Sequence, residues 1–485
     1  MPTAIKLDHR KPITYESALN KDVNIISQAA YLEAATELYQ SLWDQRQTIE
    51  ALVRHHLRLS KQDTCFVDAK AQWIRGSFNV CIPIEVRSTR YYKKLIFRCP
   101  MPHKLAEVKY PGTVDEKLSS EVGTYAWIHQ QCPDIRIPHL YGFGFSDHRH
   151  FVHEEQRPFY FRVWRMFQRR LRGLLRCHTL SPYTAHPTNQ RLSAAYMILE
   201  YISPDMGQML SSTWEKYQND ASRRQKLFRG MARLMLSLAN IPQPRIGSFQ
   251  FHGNGTITLK NRTLPCSVVI LGNEGAPRTI QRNETTASLA IQTQPMTRAT
   301  AVVKWQVRRK ALLRMLSYHY VDRKCRNGPF YLQFTDLHAS NIFVDEQWNI
   351  TCLIDPEWVC ALPAEMLAVP YWLTGHGIDE IVGDNLHEFD VSRQEFMGIF
   401  EAEEINMASK QQPPVLASTM HEGWESNGVW FWRCLTSTNA MISLVEDHLC
   451  PRFSRLSSEA EEIISQYLCL DSAKVVERKV ADYKG

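Results

Sequence analysis

Three oxygen-bearing side chains stand close together in the second half of this 485-residue chain. Asp336 and Asn341 lie five apart in Thr335-Asp336-Leu337-His338-Ala339-Ser340-Asn341-Ile342, and Asp355 follows in Ile354-Asp355-Pro356-Glu357-Trp358. Phosphoryl transfer asks little covalent chemistry of a protein. It needs a carboxylate to orient the attacking hydroxyl and oxygen ligands to hold Mg²⁺ on the nucleotide phosphates. Asp336 suits the first role, and Asn341 with Asp355 the second, because Mg²⁺ takes few protein carboxylates and completes its shell with phosphate and water oxygens. The competing reading is a polar turn joining ordinary strands, since Asp, Asn and Ser favour turns on their own account.

Two short β-type runs, Ile342 to Asp345 and Ile350 to Ile354, flank Glu346-Gln347-Trp348-Asn349. They predict a hairpin that returns Asp355 beside the Asp336–Asn341 loop.

These strings resemble the catalytic and metal loops of the aminoglycoside phosphotransferase and choline kinase-like family, in particular a large fungal branch of it, from about Gly76 to the C-terminal helices. The resemblance implies an α+β, protein-kinase-like fold with a small β-rich lobe, a larger mainly helical lobe, and ATP between them. On that basis Gly76-Ser77-Phe78-Asn79 corresponds to the turn that covers the nucleotide, with Ser77 at the phosphates. Arg98, in the strand-like run Leu95 to Pro100, falls where related kinases carry a phosphate-contacting Lys. Glu121, on the amphipathic run Lys117 to Gln130, is its expected partner, and the backbone of Glu200, Tyr201 and Ile202 is the expected adenine-binding hinge. Arg is not interchangeable with Lys, so the geometry at position 98 is an open point. So is Phe334, which stands where many relatives have a His whose hydrogen bond braces the catalytic loop. His338 reads as a neighbour of the base, and Glu357 as a water-mediated metal support or a turn cap.

Length and the 44% apolar composition permit a large core divided into two lobes. The expected division is an N-terminal helical extension over 1–65, a small lobe over 66–202 with an Arg-rich insertion at 142–191, and a large lobe over 203–485. The 12 Cys show no Cys-x-x-Cys pair and no zinc-ligand spacing. With no apolar leader and no membrane-length apolar run, the expectation is a cytoplasmic chain with free thiols. Ile246 to Leu259 around His252-Gly253-Asn254-Gly255 reads as a hairpin, and Arg278 to Met296 as a mobile loop.

The net charge of +7 is local: nine Arg and two Glu between His148 and Arg191 account for all of it. Arg162, Arg165, Arg169, Arg172 and Arg176 recur every three or four residues against Phe159, Trp164, Phe167 and Leu171, so the run is a basic amphipathic helix. The expectation is a helix packed on its own lobe with a solvated Arg face. Contact of 159–176 with a membrane surface, a partner or an acidic substrate is the alternative. Nucleic acid is not expected, as no binding module accompanies the charge.

After Asp355 the chain leaves little room for an activation segment, which favours a small-molecule hydroxyl acceptor over a protein. Tyr371, Trp372, Trp424, Trp430, Phe431 and Trp432 are candidates for an acceptor pocket or for core. The reading reached is an ATP- and Mg²⁺-dependent phosphotransferase. A kinase-like nucleotide-binding or scaffold protein without turnover is the alternative, and a protein kinase the third option.

Overall fold

The computed structural model describes residues 4–7, 10–14, 25–88, 91–175, 178–260, 262–273, 312–313, 315–408, 416–437 and 440–453. The loop expected over 278–296 and the last stripe residue, Arg176, lie outside the described residues.

The fold is two-lobed and α+β. Strands β1 (Ile5–Leu7) and β2 (Arg10–Ile13) form a small ribbon ahead of helices Ile25–Asp44 and Arg46–Leu57. The small lobe is an antiparallel sheet built from β3 (Thr64–Val67), β4 (Ile74–Arg75), β5 (Asn79–Arg87), β6 (Tyr92–Pro100), β7 (Leu140–Gly144), β8 (His150–His153), β10 (Tyr183–Ala185) and β11 (Tyr196–Glu200). Its order is β10-β8-β7-β11-β6-β5-β3, with β4 beside β5. The two N-terminal helices cover one face, where Leu42, Ile49, Leu52 and Val53 meet Val80, Ile82, Phe97 and Ile198. The insertion is therefore part of the sheet, since β7, β8 and β10 form one end of it.

Helix Thr113–Gln131 covers the other face. It is not the amphipathic helix expected from sequence: an unbroken run from Lys117 to Ile128 is buried, because the sheet lies on one side and the large lobe on the other.

β9 (Thr179–Leu180) leaves the sheet to pair with the predicted hairpin of β13 (Ser248–Phe251) and β14 (Thr256–Lys260). β12 (Gln208–Met209) follows β11 and pairs with β16 (Ile342–Val344), which pairs in turn with β17 (Ile350–Leu353). Gly207 makes that docking possible. Its φ is +141°, and a Cβ there would meet Thr351 Oγ1 at 2.6 Å and the Val344 carbonyl at 2.8 Å. β15 (Phe330–Phe334) pairs with β18 (Val359–Pro363), so the segments before Asp336 and after Asp355 are neighbours. Helices Ala221–Ala239, Gly383–Ala408, Leu416–Glu425 and Gly428–Thr436 make the bulk of the large lobe.

The Arg-striped helix spans Phe159–Leu174, but it is turned the opposite way to the expectation. Arg165 is buried and donates to the Ser181 and Tyr183 carbonyls at 2.6 and 3.2 Å, and Arg169 holds Glu154 through both guanidinium ends at 2.7 and 2.5 Å. The inner face is thus the polar one, and Phe159, Trp164, Phe167 and Leu174 face solvent. The Arg residues outbid the apolar residues for the inner face because the surface beneath offers carbonyls and a carboxylate.

Candidate functional site

β15 ends at Phe334, and its continuation, Thr335, is bonded twice to the Trp358 carbonyl, from its N–H at 3.0 Å and from its hydroxyl at 2.7 Å. These bonds join the strand entering the Asp336 loop to the one leaving the Asp355 loop. They also answer the question raised by Phe334, which pairs with Val359 in the ladder and packs its ring on the core while Thr335 supplies the polar brace. The Asn341 amide nitrogen donates to the Asp336 carbonyl at 3.2 Å, and the Ile354 N–H donates to the Asn341 carbonyl at 2.9 Å. Asp336, Asn341 and Asp355 are thereby carried on one hydrogen-bonded frame, with Asn341 Oδ1 turned away from the carbonyl that its nitrogen binds. Asp355 itself is left-handed, at φ 57° and ψ 53°. For a non-glycine residue that conformation costs on the order of 1–2 kcal/mol, held by the surrounding structure.

Beside Asp355 lies a buried ionic cluster. Arg98, at 2% exposure, contacts Glu121, Asp355 and Glu357, the last at 2.9 Å. Lys117, one helical turn before Glu121, reaches Glu121 at 3.0 Å and Glu357 at 2.5 Å and donates to Asn79 Oδ1 at 2.8 Å. The Asn79 amide donates to Glu357 at 2.9 Å. Burial works against the charge on Arg98, but Asp355, Glu121 and Glu357 more than offset it and hold the guanidinium firmly protonated. Burial also works against ionised Glu357, yet Lys117, Arg98 and the Asn79 bond bring its pKa below the ordinary value. Three carboxylates face two cations, so one negative charge is in surplus. It falls on Asp355, whose pKa is pushed up to about 6 by its enclosure, with Glu357 and Glu121 adding and Arg98 opposing. Its side chain nevertheless stays 38% exposed.

The donor set fits a divalent cation: Glu121, Asp355 and Glu357 each bring one carboxylate oxygen to within 4.8 Å of the others. Glu357 Oε2 alone takes the contacts from Arg98, Lys117 and Asn79, which makes Glu357 an anchor for the cluster. Asp355 is the carboxylate with exposed surface, and Asn341 the neighbouring neutral oxygen.

Asp336 is half-buried in a different setting. Burial raises its pKa, Glu357 adds to this, and His338 and a hydrogen bond from the Cys266 thiol oppose it. Cys266 begins helix Cys266–Asn273 and, partly buried beside this carboxylate, keeps its proton. Asp336 lines a cavity of about 130 Å³ with Phe334, Tyr371, Trp372, Trp432 and Arg433. Of the six aromatic candidates, Tyr371, Trp372 and Trp432 reach this cavity. Trp430 stacks on His448 at 3.7 Å, Phe431 stacks on Tyr320 at 4.9 Å, and Trp424 lies under Arg393, so these three serve packing.

The remaining candidates are distributed along the small lobe. Ser77 is exposed in the turn between β4 and β5, two residues before Asn79 and the ionic cluster. Glu200 closes β11, but its N–H is taken by the His139 carbonyl at 2.9 Å and its carboxylate by Arg136 at 2.7 and 2.8 Å. Its amide is therefore spent on the fold, and of the three residues expected to form a hinge only the half-buried Tyr201 and Ile202 remain candidates.

Sequence reasoning passed over Lys117, Cys266 and Arg433 as functional residues. Lys117 carried a signal, its four-residue spacing from Glu121 on a helix. Cys266 and Arg433 reach the site from distant segments and carried none.

No protein-family model and no curated protein sequence matches the chain. Among solved structures, an ethanolamine kinase from Plasmodium vivax is similar at 12% identity over 84% of this chain and 83% of its own, with a TM-score of 0.37. A spectinomycin phosphotransferase in complex with ADP and spectinomycin is similar at 14% identity over 87% and 93%, TM-score 0.32. A macrolide 2'-phosphotransferase matches at 11% identity over 85% and 96%, TM-score 0.33. Likenesses this distant carry no argument about activity, which has to come from the residues themselves.

Proposed function

We propose that this chain transfers the γ-phosphoryl group of ATP to a hydroxyl of a small acceptor held in the cavity beside Asp336. The observation that supports this reading is the division of labour between two carboxylates. Asp336 lines a half-open, mostly apolar pocket, while Asp355 is the surplus charge of a braced ionic cluster and follows Ile354, whose N–H bonds the Asn341 carbonyl.

Asp336 would accept the hydrogen bond of the acceptor hydroxyl and take its proton as the new phosphorus–oxygen bond forms and the bond to the ADP oxygen breaks. A carboxylate with a raised pKa is the better proton acceptor. Tyr371, Trp372 and Trp432 would exclude water, which would otherwise compete as the phosphoryl acceptor. Asp355 and Asn341 would hold Mg²⁺, which when bound neutralises phosphate charge. Arg98, Lys117 and Glu121 position Asp355 from behind. In the present arrangement Arg98 faces carboxylates, so its contact with phosphate would require Asp355 to shift toward the metal.

The cavity also bears on the acceptor. Its charged lining residues are Asp336 and Arg433, and Arg433 finds no carboxylate partner among the described residues. The guanidinium lies over the Tyr371 ring, 5.3 Å from its centroid, and burial works against its charge. An uncompensated guanidinium in such a place favours an anionic group on the ligand. A pocket whose unpaired charge is a guanidinium suits a hydroxy acid and not a polycationic aminoglycoside.

The saturation of Arg98 by three carboxylates favours a second reading, a nucleotide-binding or scaffold protein without turnover. The deciding experiment is transfer of labelled phosphate from ATP into a mixture of small hydroxy compounds. Label incorporation that depends on Mg²⁺ and is lost in Asp336→Asn supports the enzyme. Binding of Mg·ATP with no transfer to any compound supports the scaffold.

A further inference from the structure

Helix Phe159–Leu174 is amphipathic and inverted. Phe159 is 73% exposed, Trp164 and Phe167 are each 56% exposed, and Leu174 is 83% exposed, with Tyr160 and Leu171 beside them. Soluble surfaces carry single exposed apolar residues freely, but a contiguous row along about 24 Å of helix marks an interaction site. The helix cannot turn this row inward, because Arg165 is committed to the Ser181 and Tyr183 carbonyls and Arg169 to Glu154.

Charge selects the occupant. The segment from Phe159 to Leu175 contains no Asp or Glu, and its exposed cations, Arg162 and Arg170, have no carboxylate partner among the described residues. Arg170 lies three and four residues from Phe167, Met166 and Leu174, and so stands in the apolar row and not behind it. A second copy of the helix, or an apolar groove, would bury that guanidinium without a counter-ion. At a bilayer surface the same side chain extends to lipid phosphate while Trp164, Phe167 and Leu174 enter the boundary of the acyl region. Aromatic side chains favour that depth.

We propose that the exposed face of Phe159–Leu174 docks this chain on an anionic membrane surface, lying in the plane of the interface without crossing it. No described helix is long and apolar enough to span a bilayer. The inference is independent of the phosphotransfer reading.

The test is co-sedimentation of the full chain with vesicles of phosphatidylcholine alone and with vesicles containing about one third phosphatidylserine. Binding should be confined to the anionic vesicles and fall as salt is raised. Trp164→Ser with Phe167→Ser should weaken it at least tenfold with an unchanged melting temperature, since both side chains are exposed. Arg170→Gln should weaken it about fivefold, the expected share of one basic residue at a charged surface. Recovery in the supernatant with both kinds of vesicle overturns the proposal. So does binding that survives Trp164→Ser/Phe167→Ser, or sedimentation velocity showing a dimer that these substitutions dissolve.

Discussion

The Lys117 ammonium lies 2.5 Å from a carboxylate oxygen of Glu357, and this contact ties the small-lobe helix to the loop that carries Asp355. Both side chains are almost fully buried, and Lys117 also serves Glu121. Removing one member of a buried pair costs more than the pair contributes, because the partner is left charged and unsolvated. Lys117→Met is therefore expected to lower unfolding stability by about 3–5 kcal/mol, read from urea denaturation midpoints. A variant as stable as the parent would show that the cluster does not hold the two lobes' elements together.

Asp336→Asn should separate chemistry from stability. The carboxylate's pKa is raised in the folded chain, chiefly by burial, so its stabilising contribution is present below the unfolded value and lost as pH rises through the folded one. At neutral pH the amide should be at least as stable as the parent, while phosphoryl transfer falls by about 10²–10⁴ if Asp336 is the base. Thermal melts and transfer assays on the same samples check both halves, and a strongly destabilised Asn variant would contradict the reading of Asp336 as a carboxylate whose burial costs stability at neutral pH.

The surplus charge on Asp355 gives a pH signature. Its folded pKa of about 6 stands above the ordinary 3.8, so the stability it lends is complete below that ordinary value and disappears as pH rises through 6. In metal-free buffer the melting temperature of Asp355→Asn relative to the parent should therefore improve from pH 4.5 to 7.5. Adding Mg·ATP at pH 7.5 should reverse the order, since only the parent keeps the ionised ligand. Parallel melting profiles would place the surplus charge elsewhere.

How much of this site could be read from sequence follows from the range of the contacts. Asp336, Asn341 and the β16–β17 hairpin are local, and a polar loop followed by two β-type runs sufficed to expect them. The Arg98–Glu121 contact was expected from order along the chain. What order could not convey is that Arg98 also meets Asp355 and Glu357, since that depends on how closely the lobes approach. The Arg-striped helix shows the same limit. Its periodicity defined two faces, yet which one turned inward was decided by Ser181, Tyr183 and Glu154, outside its own repeat. The Thr335–Trp358 brace was equally silent, because Phe334 drew attention to a missing His and not to the hydroxyl beside it.

That brace can be tested directly. Thr335→Val keeps the shape and the backbone bond but deletes the 2.7 Å hydroxyl bond to the Trp358 carbonyl. The expected cost is about 0.5–1.5 kcal/mol of stability. If the brace aligns Asp336 with Asp355, transfer should fall further than that loss explains, with acceptor binding little changed. Equal reductions in stability and turnover would reduce Thr335 to a packing role.

Arg433 decides the acceptor's charge. Calorimetric titration with short hydroxy acids, the matching hydroxy amides and the matching amino alcohols compares −1, 0 and +1 on one frame. The acids are expected to bind at least tenfold more tightly than either neighbour, as a charge-assisted pair with a guanidinium lacking another carboxylate among the described residues should. Arg433→Gln should erase that preference and Arg433→Lys keep part of it, because an ammonium supplies the charge without the paired donors. If the amino alcohols bind best, Asp336 and not Arg433 sets the recognition, and the anionic acceptor is wrong while phosphotransfer stands. If the acids bind through Arg433 but Mg·ATP does not bind at all, the cavity is an anion site and the phosphotransfer reading fails.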